Sequence, residues 1–267
     1  MLLEAGEPFF AHAVNIFTGE NYDPLYVRTR AQACGDAGLP LAATHTGSTS
    51  VVGAGCDACV VPTLIVRESD EVLVDSLHIC CELSRRFGGE LRAPELADLI
   101  DREIAIVDGL PNYPLLAAKV AKPAANGAGN SFAMRKVERC DALIAEFADD
   151  RLLVAAYTAK RDKELSGNND LFTPDAIAGA EQAMQLAFSK LERRIPAGRD
   201  FLFGDRLSLA DIFWAIVLIR TEDLGYGNWI GRLPRLSTYY QTLSAAPAIR
   251  TAILDWPGAR IELPSKA

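Results

Sequence analysis

One stretch restricts the possible folds more than any other. Ser208-Leu209-Ala210-Asp211 leads into Ile212-Phe213-Trp214-Ala215-Ile216-Val217-Leu218-Ile219, eight apolar residues between Asp211 and Arg220. A serine followed three residues later by an acid forms a capping box. The hydroxyl takes the third amide of the helix while the carboxylate reaches back to the serine amide. Leu207 and Ile212 stand on either side of the box as a hydrophobic staple. A helix begun in this way and apolar all round belongs in the middle of a bundle, so Ile212 to Ile219 are expected to be fully buried. Eight residues fall far short of a bilayer span.

The rest of the second half agrees with a bundle. Val137, Cys140, Ile144 and Phe147 recur at spacings of three and four. Ile177, Ala180, Met184, Phe188, Leu191 and Ile195 do the same after Thr173-Pro174, and further helices are expected after Pro234 and Pro247. Up to about residue 92 the texture differs. His12 to Phe17 alternates like a strand, and Asp23-Pro24 opens a helix that fades near Cys34-Gly35. Gly38 to Asp57 reads as a long loop. Val60 to Val66 is a β-branched strand interrupted by Pro62, and Val72 to Val74 is a second, short strand. A helix from Asp75 to about Phe87 stops at Gly88-Gly89. The chain is therefore divided into residues 1–92, α/β, and residues 93–267, all-helical.

With 27 basic and 35 acidic residues the net charge is −8, which leaves no field to hold nucleic acid or an anionic membrane. Six cysteines, at 34, 56, 59, 80, 81 and 140, form no evenly spaced framework. With no secretory signal evident, reduced thiols in a cytoplasmic protein are expected. Cys56-Asp57-Ala58-Cys59 has the spacing of a redox dithiol but too few ligands for structural zinc, and no metal is expected. Small buried residues are the better reading of the pair. No nucleophile-elbow pattern supports a triad around His45 and Ser48. His12 and His78 read as structural.

The proline-broken strand ending in Val61-Pro62, the Asp75-Ser76 pair opening a helix, and the Phe203-Gly204-Asp205 to Asp211 stretch resemble the glutathione S-transferase superfamily over roughly residues 10 to 255. Trp229, Pro234 and Tyr239-Tyr240 resemble its tetrachlorohydroquinone reductive dehalogenase-like members. The resemblance implies a thioredoxin-like α/β N-terminal domain, an all-α helical-bundle C-terminal domain, and a homodimer. It also implies that the peptide before Pro62 is cis and that Val61 offers its backbone to the cysteinyl part of glutathione. Asp75 and Ser76 would take the ammonium and carboxylate of the γ-glutamyl end. Plain N-capping is the alternative for that pair.

Asn112, Tyr113 and Tyr157 fall where the family lines its electrophile pocket, and a core tyrosine is the alternative reading for the tyrosines. The resemblance further implies a strand and helix before His12 whose junction supplies the thiol-activating residue. Met1 to Gly6 looks like the tail of that helix, so the N-terminal domain is expected to be incomplete. The Cys56/Cys59 loop, with Cys59 as the candidate, or a partner chain is then left to replace it. The expected activity is glutathione-dependent conjugation, reductive dehalogenation or isomerisation of an aromatic, phenolic or quinone-like electrophile. The alternative is a superfamily member that has left glutathione chemistry and acts as another metabolic enzyme or a ligand-binding protein.

Overall fold

The computed structural model describes residues 1–48, 51, 55–87, 90–120 and 131–257. The expected helix stop at Gly88-Gly89 and part of the 38–57 loop lie outside these residues. By their contacts the described residues fall into two units. One lies within Phe10–Cys81 and Val120–Ile177, the other within Met1–Phe9, Glu82–Lys119 and Ala178–Ala267.

In the first unit, helix α2 (Pro24–Asp36), which follows the short α1 (Leu2–Ala5), starts where Asp23 accepts the amides of Leu25 and Tyr26 at 2.9 and 3.1 Å. Its inner face buries Val27, Ala31 and Cys34. Strands β1 (Thr63–Val66) and β2 (Glu71–Val74) pair antiparallel, with Thr63 opposite Val74 and Val66 opposite Glu71. β1 begins only after Pro62, because a proline donates no ladder hydrogen bond. Helix α3 (Ser76–Arg86) leaves the end of β2. Helices α6 (Ser131–Glu146) and α7 (Arg151–Asp170) pack on one another, and α7 also packs on α2. Tyr22, Val27, Ala31, Cys59, Cys140, Leu153 and Tyr157 form the shared core.

The second unit is built around α9 (Leu209–Asp223), which packs on α4 (Ala97–Asp108) and α11 (Pro234–Ala245). Helix α5 (Asn112–Val120) precedes this core in the chain. Helix α8 (Pro174–Arg194) adds Ala180, Met184, Ala187, Phe188 and Leu191. Between α9 and α11 lies the short α10 (Gly227–Gly231). The capping box forms as expected, with Ser208 and Asp211 each taking the other's amide. Trp214, wholly buried, donates from its indole nitrogen to Glu103 at 3.1 Å, and Arg194 pairs with the same carboxylate.

Three expectations are corrected. Residues 12 to 17 form no strand. Asn15 instead folds the chain into a turn by accepting the amides of Phe17 and Thr18, and Phe10 and Phe17 stay exposed. Alternation alone does not make a strand without a neighbour to complete the ladder. The cysteines are not all reduced, because Cys34 and Cys56 are joined in a disulfide. Local backbone pairing brings the two together. Leu39 donates to the carbonyl of Cys34, Cys56 donates to Pro40 at 2.7 Å, and Ala42 donates to Cys56 at 2.8 Å. Finally, Ile216 is 44% exposed, so α9 keeps one face uncovered, on which Phe213 is only partly buried.

Candidate functional site

Pro62 and Asp75 are thirteen residues apart in sequence, yet the hairpin register brings them together. Thr63 pairs with Val74, so the next positions outward, Pro62 and Asp75, leave the ladder at the same end. The Val61–Pro62 peptide is cis, as the resemblance implies.

The backbone around Val61 is held from both sides. Tyr26 donates its hydroxyl to the carbonyl of Val60 at 2.8 Å. Arg30, buried to 1% exposure, donates to the carbonyl of Pro62, to Thr63 Oγ1 at 2.7 Å and to the carbonyl of Asp57 at 3.0 Å. Asn21 donates to the carbonyl of Cys59 at 2.6 Å. Val61 itself is 42% exposed, and among the described residues none bonds to its amide or carbonyl. A peptide-like ligand needs such a free pair of groups to dock as an added strand.

Asp75 has φ 74°, a left-handed conformation uncommon for a residue other than glycine. Its carbonyl accepts the Ile79 amide at 2.9 Å, and its carboxylate accepts the His78 amide at 3.2 Å. The capping role therefore holds. Ser76, the first residue of α3, is exposed at the positive end of an eleven-residue helix. Backbone strain of this kind is concentrated at ligand sites. His78 and His12, read as structural, are both exposed.

Cys59 is placed differently from a working nucleophile. It is wholly buried, and burial, with the neighbouring charge of Asp57, pushes its thiol well above the usual range. Its sequence partner Cys56 is bonded to Cys34, so the two do not form a dithiol. A buried neutral thiol is inert, which leaves the packing reading. Tyr157 likewise is core. Its hydroxyl donates to the carbonyl of Tyr22 at 2.9 Å, with no exposed surface. Asn112 and Tyr113 open α5 in the other unit, both partly buried. Among the described residues no cluster of His, Cys, Asp or Glu is arranged to hold a metal ion. No helix among them is long and apolar enough to cross a membrane.

One group of residues was not foreseen. Lys160 Nζ lies 2.9 Å from Asp57 Oδ2 and 2.8 Å from Glu164 Oε1, and Lys163 lies 3.3 Å from the same Asp57 oxygen. Lys136 joins Glu164 at 3.1 Å. Burial alone raises the Asp57 carboxyl, but Lys160 and Lys163 outweigh it and hold the group well below the usual carboxylate range. Burial pushes Lys136 down to about 8. Burial, with Lys163 beside it, brings His45 down to about 3. The one local signal of this cluster is Lys160 and Glu164 at the four-residue helix spacing. Asp57 lies 103 residues away from Lys160.

Comparison with known proteins settles the lineage. A profile of the family described as "Glutathione S-transferase, C-terminal domain" matches residues 174–242. A 2,5-dichlorohydroquinone reductive dechlorinase from Sphingobium indicum is 31% identical over 273 aligned positions, covering 96% of this chain and 78% of the relative. The chain belongs to the glutathione S-transferase superfamily. A tetrachloro-p-hydroquinone reductive dehalogenase from Sphingobium chlorophenolicum is 26% identical, with 91% of this chain and 84% of that one covered. Among solved structures, a glutathione transferase from Populus trichocarpa aligns with a TM-score of 0.49 at 14% identity, over 94% of this chain and 88% of that one. Among the described residues the N-terminal part carries a small two-stranded sheet with helices, and the part that the family profile matches is helical.

Proposed function

We propose that this chain is a glutathione-dependent enzyme acting on a phenolic or quinone-like aromatic, with reductive removal of chloride from a chlorinated hydroquinone as its reaction. The observation that carries the reading is the 31% identity to a 2,5-dichlorohydroquinone reductive dechlorinase across 96% of the chain. Replacing a carbon–chlorine bond by carbon–hydrogen is a two-electron reduction. Two thiols supply those electrons when they become one disulfide, and chloride and one proton leave. Glutathione is then consumed twice per chloride released.

In this reading residues up to about 92 hold glutathione. The amide and carbonyl of Val61 pair with its cysteinyl backbone, and Pro62 keeps that edge clear of a competing ladder donor. Asp75 meets the ammonium of the γ-glutamyl end, while Ser76 and the start of α3 meet its carboxylate. Asn112 and Tyr113 are retained as contacts for the aromatic ring on the strength of the resemblance, since a tyrosine gives a ring both a face and a polar tip. A homodimer is the expected assembly.

The purified chain, mixed with glutathione and 2,5-dichlorohydroquinone, is expected to release chloride with two thiols lost per chloride and glutathione disulfide formed. One thiol lost per chloride, retained on the ring, would make the reaction a conjugation. No glutathione binding by calorimetry would move the protein to the branch of the superfamily that has left this chemistry.

A further inference from the structure

The segment from Asp57 to Thr63 joins an isolated bridge at Cys56 to the first residue of β1, and a loop in such a place is ordinarily soft. Here it is fixed at nearly every step. The carbonyls of Asp57, Cys59, Val60 and Pro62 each accept a side-chain donor, from Arg30, Asn21, Tyr26 and Arg30 in turn. The Asp57 carboxylate accepts the Cys59 amide at 2.9 Å through one oxygen and lies against Lys160 and Lys163 through the other. The pattern holds the carbonyls on both sides of Val61 and leaves that of Val61 open.

The ionic part of this clamp has a property the neutral part lacks. The Asp57 and Lys160 side chains are each 5% exposed, and Glu164 is 1% exposed. Moving any one of them uncovers a charge away from water, so the set tolerates one arrangement far better than its neighbours. Lys160 and Lys163 lie on consecutive turns of α7, a long helix packed on α6. The loop is thereby referred to a rigid element. Preorganisation of this kind matters to a ligand bound through backbone groups, because the cost of ordering the loop is met before binding.

We propose that Asp57, held by Lys160 and Lys163, is a positioning residue for glutathione, fixing the Cys59 to Thr63 turn so that Val61 presents its peptide groups to the ligand. This rests on the reading that glutathione docks along Val61. Asp57 does not touch glutathione; it acts through the loop.

The test uses the full chain with Asp57→Asn, Lys163→Met and, as a comparably destabilised control, Leu153→Ala in the wholly buried core of the same unit. Asp57→Asn is expected to raise both the Kd and the KM for glutathione at least tenfold. It should leave the KM for 2,5-dichlorohydroquinone within twofold and speed hydrogen exchange across residues 57–66. Lys163→Met, which leaves the Lys160 contact in place, is expected to raise the glutathione Kd two- to threefold. Leu153→Ala is expected to lower the unfolding midpoint without this split between the two substrates. If Asp57→Asn does not fold, Lys163→Met decides, and an unchanged glutathione Kd overturns the proposal. So does a glutathione KM that rises no more in Asp57→Asn than in Leu153→Ala, or unchanged exchange in 57–66. A starting protein that binds no glutathione refutes the functional reading itself, and is told apart by needing no variant.

Discussion

Two buried carboxylates anchor the two units, and they are satisfied in different ways. In the unit around α9, Asp211 receives the amide and hydroxyl of Ser208 at 2.8 and 2.5 Å, the amide of Leu202 at 3.0 Å and the hydroxyl of Tyr239 at 2.5 Å. All four donors are neutral, and three lie within nine residues of it. In the unit that carries Val61 and Asp75, Asp57 takes one local amide, from Cys59, and two ammonium groups 103 and 106 residues away. The first arrangement is a local device that starts a helix. The second ties distant parts of the chain together at one place, beside the groups assigned to glutathione. A bundle core can be specified by nearby residues, whereas the loop proposed to present Val61 is held from afar.

The largest expected effect lies in the local device. Asp211→Ala removes the capping box and strands the buried Tyr239 hydroxyl and Leu202 amide. A loss of about 3–5 kcal/mol follows from a missing cap plus unsatisfied buried donors. Denaturant titration should show it as a lower midpoint. A loss below about 1 kcal/mol would mean that the neutral network is not what holds this unit.

The same contrast explains what could be read from residues alone. The box at Ser208 and Asp211 was legible because both partners lie within one helical turn. The α8 stripe from Ala180 to Leu191 was legible through its period. Val61-Pro62 and Asp75-Ser76 were singled out through the family resemblance, and only the hairpin register brings Pro62 and Asp75 to one end. Asp57 with Lys160 carries no sequence signature, since a pair more than a hundred residues apart is made by the packing of α7. The Cys34–Cys56 bond was hidden because spacing drew attention to Cys56 and Cys59, whereas backbone pairing turns Cys56 toward α2. His12 to Phe17 misled because alternation is a property of one strand and a sheet needs two.

The next effect sharpens the comparison through acid. The chain has three histidines, His12, His45 and His78, all within the unit that holds Asp57. Burial and Lys163 bring His45 down to about 3, against an ordinary value near 6.5. Above pH 6.5 it is neutral folded and unfolded, and its contribution to stability is fully present. As pH falls from 6.5 toward 3, the unfolded chain takes up a proton that the folded chain refuses, and stability is lost. The loss is of the order of 2 kcal/mol after allowing for solvent screening. Hydrogen exchange at pH 7 and 4.5 should show this unit loosening first, and His45→Gln should flatten the response. Equal loosening of both units, unchanged by that substitution, would remove the asymmetry.

The smallest effect on stability bears most directly on function. Ser76 is exposed, and the residue that caps α3 is Asp75, whose carboxylate holds the His78 amide. Ser76→Ala therefore removes one hydroxyl from the surface, where substitutions usually stay within about 0.5 kcal/mol. If that hydroxyl donates to the γ-glutamyl carboxylate, its loss removes one charge-assisted hydrogen bond, about 1–1.5 kcal/mol or a five- to tenfold rise in Kd. Asp75→Asn should weaken binding comparably by removing the partner of the ammonium, while its amide oxygen can still accept the His78 amide. Calorimetry with glutathione and with a des-amino analogue separates the two roles. Ser76→Ala should weaken both ligands alike, whereas Asp75→Asn should weaken glutathione and leave the analogue unchanged. Ser76→Ala binding glutathione as tightly as the starting protein would reduce the pair to a helix cap, and the ligand would have to be held through Val61 alone.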